Sequence, residues 1–405
     1  MAALNVAVVG GGIVGAAIAN AASRVGAKVR VLDVEPRPGC GGSTRSTWAW
    51  LNAQKKLPEH YRDLNVAGLQ RWKADWPHLV HNCGSLVFGD DDEASLGDAV
   101  YPALRLGASQ VLEREPAVAP GMAARGANLW AQEAWVDPQA ACAAMLAAAE
   151  ARGAEVLLGP GQRVERLQVE AADQQEQQQQ QQQEHGWRQA GSGRRRVTGV
   201  VTADGRVHGA DVVVLAAGAA CGPLAAGAGV QVPLLHKPAV IALTQPLPGP
   251  PLTRHLLSSE EVFAFQRPDG SYILGDTRAH EDGSRAWGES LLARATALVP
   301  GLAERGARIE AVEVAYRPWP KDGHPIIGPA AAVGCLGLYV ATMHSGMTLA
   351  PHVAELVAAE LRHWRREAGV AEGEDPQLLA AQGLLAPYRL ERAYDAGVVA
   401  YGWKQ

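Results

Sequence analysis

The chain opens with an apolar segment, a glycine-rich turn, a segment of small residues and a second apolar segment, in that order. Asn5 to Val9 has the composition of a short buried strand, and Lys28 to Asp33 has the alternating pattern of another. Ile13 to Val25, which lies between them, has the periodicity of a helix rich in small residues. The opening therefore predicts a βαβ unit with the glycines at its strand-to-helix turn.

The glycines of this turn are Gly10, Gly12 and Gly15, in G-x-G-x-x-G spacing. The first permits a tight turn, the second lets the backbone approach a pyrophosphate at the helix start, and the third lets helix and strand pack closely. Asp33 ends the second strand, where a carboxylate can bind the ribose hydroxyls of an adenosine. The pattern predicts a dinucleotide site, and at this point both NAD and FAD remain open.

Length and charge narrow the class of protein further. At roughly 150 residues per domain, 405 residues supply two or three domains' worth of core. The net charge of −5 offers no general attraction to nucleic acid or anionic membranes. The five cysteines lie far apart without a C-x-x-C pair, which predicts neither a disulfide framework nor a metal site. We therefore expect a small-molecule partner and no nucleic acid.

Two long uncharged stretches, 212–235 and 325–354, are each interrupted by several Gly and Pro residues. They predict buried strands and turns, because irregular backbone in lipid would leave its polar groups unpaired. The first apolar segment follows the initiator Met almost at once and leads into the glycine turn. We therefore expect no membrane span, no targeting segment in the chain as given, and a location in the cytoplasm or an organelle interior.

The rest of the chain predicts further strands and helices. A helix is expected over 138–153, followed by a strand over 154–158. Strands at 163–169 and 196–202 flank a glutamine tract, and residues around 171–194 are expected to form a disordered insertion because they bury little apolar area. Also expected are strands at 211–215 and 338–342, a helix from Leu349 to Arg362, and one or two helices within 375–395.

The segment GCGGSTRSTWAWLN, residues 39–52, favours FAD. Such a polar turn after the second strand can hydrogen-bond a second phosphate or a ribityl chain, although an ordinary polar loop has the same composition. Its hydroxyls and cation belong to Ser43, Thr44, Arg45 and Ser46. A later strand ends in the small residues Ala217 and Gly218, and no second G-x-G-x-x-G follows, so the chain does not look built for both FAD and NAD.

Several segments, in one order over nearly the whole chain, resemble the D-amino-acid oxidase and sarcosine/glycine oxidase superfamily of FAD-dependent oxidoreductases. Besides the opening unit and the GGSTRS loop, they are NLWAQEAWVDPQA (128–140), the strand ending AAG at Gly218, RPDGSYILGDT (267–277), AYRPWPKDGHPIIGP (315–329) and YVATMHSGMTLAP (339–351).

The resemblance implies an α/β protein of two domains. A Rossmann-like FAD-binding domain with a parallel sheet would be interrupted twice by a substrate domain built on an antiparallel sheet. The implied bounds are 1–80, 138–230 and 320–365 for the FAD-binding domain, 81–137 and 231–319 for the substrate domain, and 366–405 for a C-terminal helical extension.

The resemblance also implies which residues bind FAD. Binding would be non-covalent, because Ala315 and the STRS loop stand where covalent members present Cys or His. The implied residues are Gly10, Gly12, Ile13, Val14, Gly15, Asp33, Ser43, Thr44, Arg45, Ser46, Val164, Ala217, Gly218, Ser345, Gly346, Met347 and Thr348. The last four precede the helix expected from Leu349, whose N–H groups and dipole would face the flavin where negative charge accumulates on reduction.

For the substrate, the resemblance implies that Arg317 binds a carboxylate through two charge-assisted hydrogen bonds; bracing a strand end is the alternative. Trp48, Trp50 and Tyr272 are candidates for aromatic walls of the substrate site, with core packing as the alternative. His344 is a candidate catalytic residue or a hydrogen-bonded packing residue.

The leading hypothesis is oxidation of the C–N bond of a small or N-methyl or other secondary amino acid. Hydride transfer to flavin N5 would give an imine that hydrolyses, and oxygen, a quinone or a carrier protein would accept the electrons. Other superfamily members imply two alternatives: a flavoprotein assembly factor or interaction protein without amine turnover, and flavin-dependent modification of a tRNA side chain. The acidic balance of charge, with no basic stripe beyond 194–196, disfavours tRNA.

Overall fold

The computed structural model describes residues 3–89, 97–171, 195–278, 280–364 and 375–394. Apart from Ala171, the glutamine-rich insertion expected around 171–194 lies outside the described residues. The described part of the chain divides into two compact units. The first unit lies within 1–41, 139–235 and 318–399, and the second unit lies within 42–138 and 236–317.

The strands of the described residues are β1 (Asn5–Val9), β2 (Lys28–Asp33), β3 (Trp50–Leu51), β4 (Val80–His81), β5 (Ser85–Phe88), β6 (Leu104–Leu106), β7 (Ala127–Trp130), β8 (Ala134–Val136), β9 (Glu155–Leu158), β10 (Val164–Ala171), β11 (Arg195–Thr202), β12 (Val207–Gly209), β13 (Val212–Leu215), β14 (Leu234–Thr244), β15 (Leu256–Ser258), β16 (Phe263–Gln266), β17 (Tyr272–Gly275), β18 (Ile309–Pro320), β19 (Ile326–Pro329), β20 (Cys335–Leu336) and β21 (Leu338–Thr342).

The helices of the described residues are α1 (Ile13–Arg24), α2 (Gly42–Arg45), α3 (Glu59–Asp75), α4 (Ala108–Arg114), α5 (Pro120–Ala123), α6 (Pro138–Glu150), α7 (Cys221–Ala226), α8 (Arg285–Leu298), α9 (Gly301–Glu304), α10 (Gly346–His363) and α11 (Pro376–Leu385). None of these helices is both long and apolar enough to cross a membrane.

The first unit contains a six-stranded sheet in the order β19-β21-β13-β1-β2-β9. Its strands pair in parallel except β19, which runs antiparallel to β21 at one edge. The central strands are near-continuous Val and Leu runs because parallel strands are buried on both faces. Since parallel strands end at one edge, the turns after β1, β2, β13 and β21 lie along the same edge of the sheet.

The second unit contains an eight-stranded sheet in the order β18-β14-β17-β16-β15-β5-β7-β6. Side chains of paired residues lie on the same face of a sheet, and neighbours along a strand alternate between faces. One face, which we call the helix face, packs Ala242, Ala264 and Leu274 into a core with Leu291 of α8.

The opposite face, which we call the loop face, is covered by residues that follow β2 in the sequence. Ile241, Gly275 and Phe263 lie side by side on it, on β14, β17 and β16. A small sheet in the order β3-β8-β4 also belongs to this unit. Its Trp50 stacks on Phe263 with ring centroids 5.5 Å apart, which fixes β3 against the loop face.

The predicted bounds of β1, β2 and β21 agree residue for residue with the structure, and the bounds of the other predicted elements, α1, α6, β9, β10, β11 and β13, are shifted by one to three residues. Three expectations are corrected. The last long helix begins at Gly346 rather than Leu349. Residues 42–80 group with the second unit, because residues 43–50 bind its strands. The C-terminal helix α11 packs against α10 and groups with the first unit instead of forming a separate extension.

Candidate cofactor and substrate site

The glycine turn of the first unit needs glycine for steric reasons. Gly10 has φ +109°, and a Cβ there would lie 2.6 Å from the carbonyl oxygen of Ala216, at the end of β13. A Cβ on Gly15 would lie 1.9 Å from the carbonyl oxygen of Gly10. No side chain fits at either distance, so the tight turn and the close helix packing predicted from the spacing are confirmed.

Asp33 ends β2 beside this turn. Its carboxylate accepts hydrogen bonds from the backbone N–H of Gly11 and, at 2.8 Å, from that of Glu35. Two backbone donors hold the carboxylate at the strand end where the α1 helix begins. In dinucleotide-binding folds, this is the position from which an acidic side chain binds ribose hydroxyls.

A second helix start lies next to the first. Ser345, in a left-handed conformation with φ 58°, precedes α10 and redirects the chain after β21. A Cβ on Gly346 would lie 3.3 Å from Cγ2 of Val14, in the first turn of α1. Thr342 Oγ1 donates to the carbonyl oxygen of Gly218 at 3.1 Å, so the end of β13 joins the same edge. Helix starts carry partial positive charge and N–H groups without intrahelical partners, so two adjacent starts suit an anionic ligand.

His344 lies in the loop between β21 and α10. Its ring centroid is 4.4 Å from that of Trp319, and its Nδ1 is 3.5 Å from Ser345 Oγ. The ring therefore packs against an aromatic neighbour. The catalytic role predicted for His344, next to the start of α10, stays a prediction.

Residues 43–50 of the second unit run across the strands of the loop face, and we call them the crossing segment. Ser43 Oγ donates to the backbone carbonyl of Tyr316 at 2.6 Å. Arg45 Nε and Ser46 Oγ donate to the carboxylate of Glu313, at 3.0 and 2.7 Å. Three of the four side chains predicted to bind phosphate thus have partners on β18, and their role toward a cofactor stays a prediction.

Arg317 lies on β18, four residues beyond Glu313. Glu313 binds the crossing segment on the loop face, and alternation along the strand directs Arg317, four residues further, to the same face. Arg317 is half-buried, and it follows directly after Tyr316, the residue whose carbonyl binds Ser43. Its role toward a substrate carboxylate stays a prediction.

The aromatic part of the crossing segment continues over the same face. Trp48 stacks on Phe263 with centroids 4.5 Å apart and rings 10° from parallel. A Cβ on Gly275 would lie 2.4 Å from Trp48 Nε1, so the absence of a side chain there makes room for the indole. Trp50 Nε1 donates to Glu133 Oε2 at 2.6 Å. The loop face therefore carries an arginine and an aromatic cluster within one unit.

Within the described residues, no group of three or more His, Cys, Asp or Glu side chains could hold a metal ion.

A family model described as FAD dependent oxidoreductase matches residues 5–360. The chain belongs to this family. The D-amino-acid oxidase type of flavoprotein predicted from the motifs is thereby confirmed.

Curated relatives of this FAD-dependent oxidoreductase include two bacterial proteins. Glycine oxidase of Pseudomonas aeruginosa is 32% identical over 177 residues, which are 43% of this chain and 46% of that protein, so the match spans under half of that relative. Uncharacterized oxidoreductase YurR of Bacillus subtilis is 26% identical over 390 residues, 86% of this chain and 92% of that protein.

Solved structures show the same fold. Glycine oxidase from Geobacillus kaustophilus has a TM-score of 0.71 at 21% identity, covering 97% of this chain and 100% of that one. Fructosamine oxidase from Aspergillus fumigatus has a TM-score of 0.72 at 17% identity, covering 98% and 93%. These likenesses confirm the predicted α/β fold class and carry no substrate over to this FAD-dependent oxidoreductase.

One predicted substrate residue is not brought together with the others. Tyr272 is fully buried in the helix-face core, where its hydroxyl lies 2.9 Å from Thr253 Oγ1. Gly275, three residues along the same strand, points to the loop face under Trp48. Tyr272 therefore packs the core on the side of the sheet opposite Trp48, which favours the packing alternative, and a substrate role for it stays a prediction.

The motifs did not single out three residues that build this site. Glu313 and Phe263 hold the crossing segment, and Glu133 binds Trp50 from the turn between β7 and β8. Glu133 did carry a signal in the sequence, since it is a lone acidic residue in the apolar segment NLWAQEAWV. Acidic residues are almost never fully buried without a partner, so such a position indicates a buried polar network.

Proposed function

We propose that this family member binds FAD non-covalently and oxidises the C–N bond of a small α-amino acid or an N-substituted amino acid. Bound FAD would supply the acceptor for the hydrogen and the two electrons that leave the substrate carbon. Family membership supports the redox chemistry, and similarity to proteins that include a glycine oxidase and an L-proline dehydrogenase supports the substrate class.

The chain's own residues would hold the cofactor through the turns of the first unit. The fit rests on the two adjacent helix starts, at Ile13 and Gly346, and on the carboxylate of Asp33 beside them. The backbone N–H groups of the helix starts would stabilise phosphate and the anionic edge of the reduced cofactor, and Asp33 would accept from ribose hydroxyls. Val164, Ala217 and the neighbouring predicted residues would contribute backbone contacts.

The observation that carries the substrate proposal is Arg317 on the loop face. A half-buried guanidinium makes two charge-assisted hydrogen bonds to a carboxylate and stays protonated at every physiological pH. Trp50 would orient the substrate as an aromatic wall, and His344 would hold a proton or a hydrogen bond near the α10 start. The work of the protein would be orientation, because an amine that binds in its neutral form needs no general base.

The experiment is anaerobic photometry of the purified holoprotein with D-amino acids, glycine, sarcosine and proline, followed by steady-state kinetics on the best substrate. We expect bleaching of the yellow colour by at least one of them. Arg317→Ala should retain the colour and lose roughly 100-fold in kcat/KM, the equivalent of about 3 kcal/mol of hydrogen bonds to a charged group. Arg285→Ala removes an exposed arginine that pairs with Glu289 one helical turn further along α8, and it should leave kcat/KM unchanged. A coloured Arg317→Ala protein with undiminished kcat/KM would falsify the carboxylate role.

A further inference from the structure

Glu133 is the acceptor at the centre of a buried network in the second unit. The residue is 0% exposed, and its two carboxylate oxygens accept from four side chains. The donors and their distances are Trp50 Nε1 at 2.6 Å, Gln54 Nε2 at 3.1 and 3.2 Å, Ser85 Oγ at 2.5 Å and Tyr101 hydroxyl at 2.9 Å. Burying a carboxylate is costly unless donors surround it, so this site is built around the acceptor.

The network determines which way the Trp50 indole faces. An indole N–H can only donate, and Glu133 keeps acceptor oxygens whether or not it holds a proton, so the ring must direct its N–H toward Glu133. Turning the indole over would take its N–H away from this acceptor and leave the donor unpaired in a buried position. A buried donor without an acceptor is costly, so one ring orientation is dominant.

The fixed ring is part of the aromatic cluster on the loop face. Trp50 stacks on Phe263 at 5.5 Å, and Trp48 stacks on the same phenyl ring at 4.5 Å. Trp50 is 8% exposed, whereas Trp48 is more open. The orientation of Trp50 therefore affects how Phe263 and Trp48 pack.

We infer that Glu133 is a positioning residue for substrate binding: it holds the Trp50 indole in the one orientation that shapes the aromatic wall. The inference rests on the proposed function, in which Trp50 orients the substrate. The role is a positioning one, because the effect of Glu133 on the substrate passes through Trp50.

The test combines two substitutions. Glu133→Met keeps the side-chain length and removes the acceptor, while Glu133→Gln keeps one acceptor oxygen. We expect Glu133→Met to raise KM about tenfold with kcat within about twofold, and Glu133→Gln to recover most of the loss. In a Trp50→Phe background, which lacks the indole donor, Glu133→Met should raise KM by less than about twofold. An equal rise in both backgrounds would overturn the inference.

Glu115→Met is the matched control for burying a methionine in place of a carboxylate. The Glu115 side chain is 1% exposed and accepts from His255 Nδ1 at 2.6 Å, outside the Trp50 network. Its substitution should lower stability and leave KM unchanged. A KM rise as large as that of Glu133→Met would mean that loss of any buried carboxylate loosens the site, and it would overturn the inference.

A spectroscopic readout separates this inference from the proposed function and covers the case in which Glu133→Met does not fold. In the ¹⁵N-labelled protein, the Trp50 indole N–H resonance is identified by its loss in Trp50→Phe. We expect it far downfield in the wild type and shifted upfield in a folded Glu133 variant, Glu133→Gln included. If no amino acid bleaches the holoprotein, the proposed function fails, but the indole resonance can still be measured because it requires no turnover. An unmoved resonance would overturn the inference even if amino acids are oxidised.

Discussion

Gly346 at the start of α10 lies against Val14 in the first turn of α1, so that a Cβ on Gly346 would be 3.3 Å from Val14 Cγ2. This approach brings two helix starts together in the first unit. We expect Gly346→Val to push them apart and to raise the Kd for FAD at least about tenfold, since overpacking costs about 1–3 kcal/mol. Flavin titration of the apoprotein measures this. Gly222→Ala in α7, where a Cβ meets its nearest atom at an ordinary 3.5 Å, should leave the Kd unchanged.

Gly15 should be the least replaceable glycine of the turn. A Cβ there would lie 1.9 Å from a backbone oxygen of Gly10, and backbone cannot rotate away as a flexible side chain can. Gly15→Ala must separate α1 from β1, and we expect it to lower the free energy of unfolding by about 3 kcal/mol or more. Urea denaturation of Gly383→Ala provides the comparison. Its Cβ would have no atom within 4 Å in α11, so that variant should match or exceed the wild type by up to ~1 kcal/mol. Equal stability of the two variants contradicts the close packing.

Burial of the Glu133 carboxyl group predicts a pH-dependent stability. Burial raises the pKa of Glu133 to about 7, and burial also lowers the pKa of Lys56 to about 7. Between pH 4.5 and 7 the folded protein holds a proton on Glu133 that the unfolded chain has lost, so stability falls as the pH rises through this range. The Lys56 contribution changes only above about pH 7, because its pKa in the unfolded chain is the higher one.

Glu133→Gln removes the titrating group and should remove this slope. From pH 5 to pH 7.5, the wild type should lose about 2 kcal/mol of unfolding free energy relative to Glu133→Gln, on the scale of 1.36 kcal/mol per pKa unit. Urea titrations at the two pH values measure the difference. A constant difference between the proteins would show that Glu133 is ionised throughout the range.

The local parts of this fold could be predicted from the sequence, and the long-range parts could not. Periodicity and glycine spacing are properties of neighbouring residues, so the βαβ unit and the position of Asp33 follow from them. Ser46 lies in a segment with the composition of a phosphate-binding loop. Its hydroxyl nevertheless donates to Glu313, 267 residues further along the chain. No pattern near Ser46 contains that partner. Alternation along β17 likewise predicts that Tyr272 and Gly275 lie on opposite faces of the sheet. It does not predict which of the two faces the crossing segment covers.

The opposite faces of β17 give a direct comparison between two aromatic residues. Tyr272→Phe deletes the hydroxyl that pairs with Thr253 in the helix-face core, so we expect a loss of about 1 kcal/mol in unfolding free energy and no change in KM. Trp48→Leu empties space over Gly275 on the loop face, so it should raise KM for the best amino acid several-fold. Steady-state kinetics and urea unfolding on the same preparations separate the two effects. If Tyr272→Phe raises KM while Trp48→Leu does not, the substrate meets the other side of the sheet, and the assignment of Arg317 to substrate binding fails with it.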